Sequence, residues 1–198
     1  MEKKLTVGAV LSEGVGIGMK NLVPILVNTV LWILTIWIPY LNIGTTIGMC
    51  VGIVTKAGKG EAISMTEIFN PQYRKYMGEF FLTYGLVLMG VCAGMIFFII
   101  PGVVIGIAWS LSLLLAVDKG INPVEAISKS NKATYGSKGT IFIAWLILSV
   151  IISILSAIVI RIPGIGIILY LAVCVVSIFV GIGMQAYVYK TLTADIAG

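Results

Sequence analysis

The sequence predicts an all-α integral membrane protein: six transmembrane helices as three hairpins with Ile-Pro tips, plus cytoplasmic interfacial amphipathic helices. Three observations carry this. Four tracts, Asn21–Thr55, Phe80–Val117, Gly139–Ile160 and Ile162–Tyr189, hold no charged residue. An Ile-Pro pair recurs at Pro39, Pro101 and Pro163, at a constant spacing of 62 residues. Every lysine and arginine except Arg161 falls outside the hairpins.

The solvent is lipid because the composition leaves no alternative. The chain is 59% hydrophobic and 11% charged, with a mean hydropathy of +1.10. Soluble domains are about 45–50% apolar and about 25% charged. Each charge-free tract reaches or exceeds the roughly 20 residues that cross a hydrocarbon core. Phe80–Val117 as one helix would be about 57 Å long at about 1.5 Å per residue. The core is roughly 30 Å thick, so the tract must turn back. Proline removes an amide donor and glycine admits positive φ. The turns are therefore expected at Pro39-Tyr40-Leu41-Asn42, Ile100-Pro101-Gly102 and Pro163-Gly164. The predicted crossings are 21–38, 42–56, 79–100, 102–117, 139–161 and 164–189. The second and fourth are short, and either thin the bilayer or stop as re-entrant arms; full spans are the preferred reading.

Charge orients the hairpins. Lys3, Lys4 and Lys20, then Lys56, Lys59, Arg74 and Lys75, then Lys119, Lys129, Lys132, Lys138 and Lys190 all lie on one side. The positive-inside rule makes that side cytoplasmic, with both termini, in a plasma membrane. The first apolar stretch, broken by Glu13 and four glycines, does not read as a signal peptide.

The fixed spacing suggests one membrane domain built as a three-fold repeat, 1–58, 59–120 and 121–198. Each unit is a semi-polar connecting helix followed by a hairpin. In "NPVEAISKSNKATYG", Asn122 is an N-cap, Pro123 suits the first helical position and Glu125 completes a capping box. Val124, Ile127, Asn131 and Tyr135 form one face, Glu125 and Lys129 pair on the other, and Gly136 ends the helix. "GEAISMTEIFNPQYRKYMGEF" repeats Glu-Ala-Ile-Ser, and Asn70-Pro71 starts a helix running into the third span. Residues 5–19 occupy the matching place, with a helix weakened by Gly8, Gly14, Gly16 and Gly18. Such helices lie in the inner interface, apolar face down.

"IIPGVVIGIAWSLSLLLAVDKGINPVEAISKSNKATYG" resembles the membrane domain found ahead of some bacterial glycerophosphodiester phosphodiesterases, and related small prokaryotic membrane proteins. The matching positions are Ile100-Pro101-Gly102, Asp118 with Gly120, then Pro123, Ala126, Ile127 and Ser130. The family usually has an aromatic residue after that serine; Asn131 stands here. The resemblance implies the topology and carries over no active site.

Little in the sequence suggests catalysis. The spans hold no charged side chain and the chain has no histidine, which removes the usual metal ligand and pH switch. Cys50, Cys92 and Cys174 have no metal spacing and make no disulfide framework. No catalytic residue, metal or cofactor is expected, and the absence of intramembrane ionisable groups argues against proton coupling. Glu79 and Asp118 read as interfacial. Asn28, Ser110, Ser112 and Gln185 are the polar residues that could line a cavity. Gly44, Gly48 and Gly52 form a small-residue stripe for close helix packing, as do Gly90 with Gly94, and Ser149 with Ser153.

The function expected is a channel or transporter-like protein for a small or lipidic solute, without proton coupling. The alternative is a membrane-organising module that packs lipid or partner helices. Polar residues sharing one cavity favour the first, and polar residues scattered to separate helix contacts favour the second. The net charge of +5 points to anionic lipid heads at the cytoplasmic face. Basic residues spread without stacking aromatics exclude nucleic acid. A homo-oligomer is expected, because short spans gain stability by burying their sides.

Overall fold

The computed structural model describes residues 5–196. Apolar runs without β-branched alternation make helices, and no strand occurs among these residues. In chain order the elements begin with α1 (Val7–Lys20), α2 (Leu22–Thr35), α3 (Pro39–Ile47), a π-helical turn (Gly48–Gly52) and α4 (Ile53–Lys59). A 3₁₀ turn (Glu67–Phe69), α5 (Gln72–Lys75), α6 (Met77–Phe97), α7 (Ile99–Ala108) and α8 (Ser112–Asp118) follow. Then come α9 (Pro123–Ala133), α10 (Lys138–Val159) and α11 (Gly166–Leu192).

Four helices are long and apolar enough to cross a membrane: α6, α7 with α8, α10 and α11. The pair α1 and α2, bent by 75° at Asn21, makes a fifth if it counts as one broken span. The limb expected to cross at 42–56 is not among them, being divided into α3, the π turn and α4. Much of it is covered by protein: Gly44, Thr45, Ile47, Gly48, Val51 and Gly52 are all buried. A limb rich in threonine and glycine suits that position, because its close neighbours are protein atoms. By contrast, α10 buries only 11% of its most apolar window, and Leu146, Val150, Ile154 and Ile158 face outward.

The turns sit earlier than the prolines suggest. The first spans residues 36–38, and Pro39 opens α3. The second is the single extended residue Phe98 (φ −162°, ψ 150°), with Pro101 inside the first turn of α7. There the missing amide costs no helical hydrogen bond, so proline starts the returning helix rather than ending the outgoing one. Gly102 is helical and supplies close approach: a Cβ there would lie 2.5 Å from Met95 Cγ, and one on Gly94 would lie 2.8 Å from Gly102 Cα. Only the third turn follows the expected form, with Pro163 and Gly164 (φ 81°) between α10 and α11.

The connecting helices also depart from the expectation. Thr6 caps α1 by accepting from Ala9 N. Its glycines serve packing: a Cβ on Gly14 would meet Met184 Cγ at 2.5 Å, and Gly18 presses on the Phe179 carbonyl. Gly183 of α11 packs directly on the backbone of Gly14. Hence α1 docks on α11, and the glycines that weaken an isolated helix are what permit the crossing. In α9, Asn122 caps Val124 N at 3.1 Å, Glu125 pairs with Lys129 at 3.1 Å, and Gly136 has φ 77°. The buried face, however, is Ala126, Ser130 and Thr134, while Val124 and Tyr135 are exposed. Tyr76 separates α5 from α6. Lys3 and Lys4, used in the charge argument, lie outside the described residues.

Candidate functional site

The site begins at the end of α4. Lys56 and Lys59 lie three residues apart, on neighbouring positions of one helix face. Gly60, at φ 74°, ends the helix, and its left-handed conformation turns the chain back across α3 and α4.

Asn28 ties down the middle of the returning segment 60–76. The side chain, 0% exposed, donates through Nδ2 to Ser64 O and Pro24 O, both at 2.8 Å. Its Oδ1 accepts from Ile68 N at 3.0 Å. The segment can lie so close because Gly44, Gly48 and Gly52 lack side chains. A Cβ on Gly48 would be 2.7 Å from Ile68 Cα, and one on Gly52 would collide with the phenol end of Tyr73, at its Cζ. Arg74 lies on Gly44, with its guanidinium 5.3 Å from the Tyr40 ring centroid. The expected stripe is thus an intrachain contact, but it receives a connecting segment rather than a membrane helix.

This folding buries Glu67, whose side chain is 3% exposed. Lys56 Nζ lies 2.9 Å from Oε2, and the Tyr73 hydroxyl donates to Oε1 at 2.7 Å. Burial pushes the Glu67 carboxyl up, but hydrogen bonds from Lys56 and Tyr73, the Lys56 charge and the Ser64 N–H outweigh it. The group lies below the usual carboxylate range. Tyr73 is pushed up by burial and by its bond to Glu67. One helical turn on, the pattern recurs. Lys59 pairs with Asp118 Oδ1 from α8, and Tyr189 of α11 donates to Oδ2 at 2.6 Å. Between these two Lys–carboxylate–Tyr groups lies a cavity of about 350 Å³. Val51, Thr55, Lys56, Lys59 and Glu61 line one side; Gln72, Tyr73, Lys75, Tyr76, Val117 and Asp118 line the rest.

A second polar cluster surrounds the break at 109–111, between α7 and α8. Ser130 of α9 donates to Ala108 O at 2.8 Å and accepts from Leu111 N at 3.1 Å. Thr134 donates to Ala108 O at 3.3 Å, and Gln185 Nε2 to Ser110 O at 3.1 Å. Backbone groups freed by the break are therefore satisfied by neighbouring helices.

Of the four residues expected to line a cavity, only Ser110 and Gln185 meet. Ser110 and Ser112 donate to the carbonyls of Ile107 and Trp109, and Asn28 stands apart, clamping the connecting segment. None of them lines the 350 Å³ chamber. Gly90 packs on the Trp109 ring and Gly94 on Gly102, whereas Ser149 and Ser153 are exposed. Sequence reading missed Glu67 and gave Asp118 no buried partner. The available signal was the Lys56/Lys59 spacing at the end of an apolar tract. The partners lie 11 and 59 residues away, and no local pattern points to them.

An all-helical protein with four to five helices able to cross a membrane, and a polar chamber where α4, α8 and the 60–76 segment meet, is the class that fold and site define. No protein-family model, curated protein or solved structure matches the chain.

Proposed function

We propose that this chain is a non-enzymatic, transporter-like membrane protein whose solute site is the chamber between Lys56, Lys59, Tyr73 and Asp118. One observation carries the reading: the two limbs that line it, α3–α4 and α7–α8, are both interrupted, by the π turn at Gly48–Gly52 and by the break at 109–111. Interrupted spans characterise transporter binding sites, because irregular backbone is tolerated only where protein or a water-filled cavity covers it. Movement is not proton-coupled in this reading. Glu67 is held ionised by Lys56 and Tyr73, and both carboxylates already carry two partners.

The membrane frame is the one the charges describe: six crossings in three hairpins, a three-fold repeat, cytoplasmic termini and a plasma membrane. The chamber then opens to the cytoplasm, with Val124 and Tyr135 facing the inner interface and anionic lipids around the basic end. The outward face of α10, including Ser149 and Ser153, is the surface for a homo-oligomer. A membrane-organising module is the second reading. The observation favouring it is that Asn28, Ser110, Ser112 and Gln185 serve separate backbone contacts.

Access to the chamber separates the two readings. With Cys50, Cys92 and Cys174 replaced, single cysteines at Thr55 and Val117 should react with membrane-impermeant thiol reagents from either face in turn. Labelling from one face only, under all conditions, would leave the organising module.

A further inference from the structure

We infer that the chamber takes a phosphoryl group, carried by a small solute or by a lipid head; this rests on reading the chamber as the solute site. The argument is a count of donors and acceptors. Both Asp118 oxygens have donors, from Lys59 and Tyr189, and both Glu67 oxygens have donors, from Lys56 and Tyr73. Thr55 donates to the carbonyl of Gly52. Glu67 lies behind the wall that Lys56 and Tyr73 form, and the remaining acceptors of the lining, Glu61 and the Gln72 amide oxygen, sit at its exposed rim.

Among the donors, a lysine ammonium has three N–H groups. Lys56 and Lys59 each make one ion pair, and Lys75 makes none among the described residues. The Lys75 ammonium instead lies 5.7 Å from the Tyr76 ring centroid, on the chamber wall. Lys59 and Lys75 are exposed at the chamber mouth, where water meets their remaining N–H groups, and a ligand that displaces this water must be rich in oxygen acceptors. A phosphoryl group brings three such oxygens, where a carboxylate brings two. The Tyr73 and Tyr76 rings and the apolar Val51 and Val117 supply walls for the remainder of the ligand. The 350 Å³ volume suits a small organic phosphate or one headgroup, near the lower end of ligand pockets, about 300–1,000 Å³.

The test uses the full chain in lipid nanodiscs, read by thermal unfolding. In one arm the lipid is phosphatidylcholine, and inorganic phosphate is titrated against chloride at equal ionic strength. In the other, phosphatidic acid is introduced into the disc with no phosphate in solution. Stabilisation in the first arm assigns a soluble phosphate, and in the second a lipid phosphate. In either, Lys75→Gln should raise the half-maximal concentration about tenfold, while Lys129→Gln, on α9 and outside the chamber lining, should not. No stabilisation in either arm, or the same stabilisation in Lys75→Gln, overturns the inference. A chamber labelled from both faces but indifferent to phosphate keeps the transport reading and discards this one. Phosphate binding with one-sided labelling does the reverse.

Discussion

Replacing Asn28 by alanine should free the 60–76 segment while leaving α10 and α11 in place. The side chain is fully buried and satisfies two groups of that segment, Ser64 O and Ile68 N. Without it, the Ile68 N–H is left unpaired in the interior, whereas Ser64 O, on an exposed residue, keeps the Glu67 N–H at 3.2 Å. An unsatisfied buried group costs about 1–3 kcal/mol, so local opening should become easier by about that much. At about 1.4 kcal/mol per factor of ten, amide exchange from 61 to 76 should speed up by about 5- to 150-fold. Hydrogen exchange with mass spectrometry, on protein in nanodiscs, reads this peptide by peptide. Residues 146–158 of α10, which belong to a different hairpin, serve as the internal reference. Equal acceleration in both regions, or none at 61–76, would show that the clamp does not hold the segment.

Four further outcomes follow from the geometry. Gly183→Ala forces a methyl onto the Gly14 backbone and should lower stability by about 1–3 kcal/mol. Gly16→Ala, with nothing within 4 Å of the new Cβ, should be neutral or stabilising by up to about 1 kcal/mol; thermal melts of the two variants check the pair. Because the Glu67 carboxyl is lowered on folding, its contribution is complete above the ordinary carboxyl pKa of about 4.3. That contribution disappears as pH falls through the folded value, so acid melts of wild type and Glu67→Gln should differ in slope below that point. Ser130→Ala removes the donor to Ala108 O and the acceptor for Leu111 N, and exchange at 109–112 should rise while α11 stays protected.

The long helices were legible because their signal is local: an uncharged run longer than a bilayer is thick has few other uses. The ends of α9 were legible for the same reason, since Asn122, Pro123 and Gly136 act within one turn of themselves. The stripe Gly44, Gly48 and Gly52 announced a close approach but not its partner, because any backbone or flat ring fits against glycine. Gly14 and Gly18 carried the same spacing and were discounted on helix propensity, which tertiary packing overrides. The chamber was least legible. Glu67 enters the interior through a turn at Gly60 and a clamp from Asn28, and Asp118 finds its partners on α4 and α11. These pairings depend on how helices distant in sequence come together.

The contact between α1 and α11 joins Gly14 and Gly18 to Gly183, far apart in sequence. Ribosomes add about 5–20 residues per second, so Gly183 follows Gly14 by about 10–30 seconds. Throughout that interval α1 has made its glycine face but has no surface to receive it. The helices between them must settle without the contact that later joins α1 to α11. A chain stalled before α11 would display an unpaired glycine groove that quality-control proteases or chaperones would read.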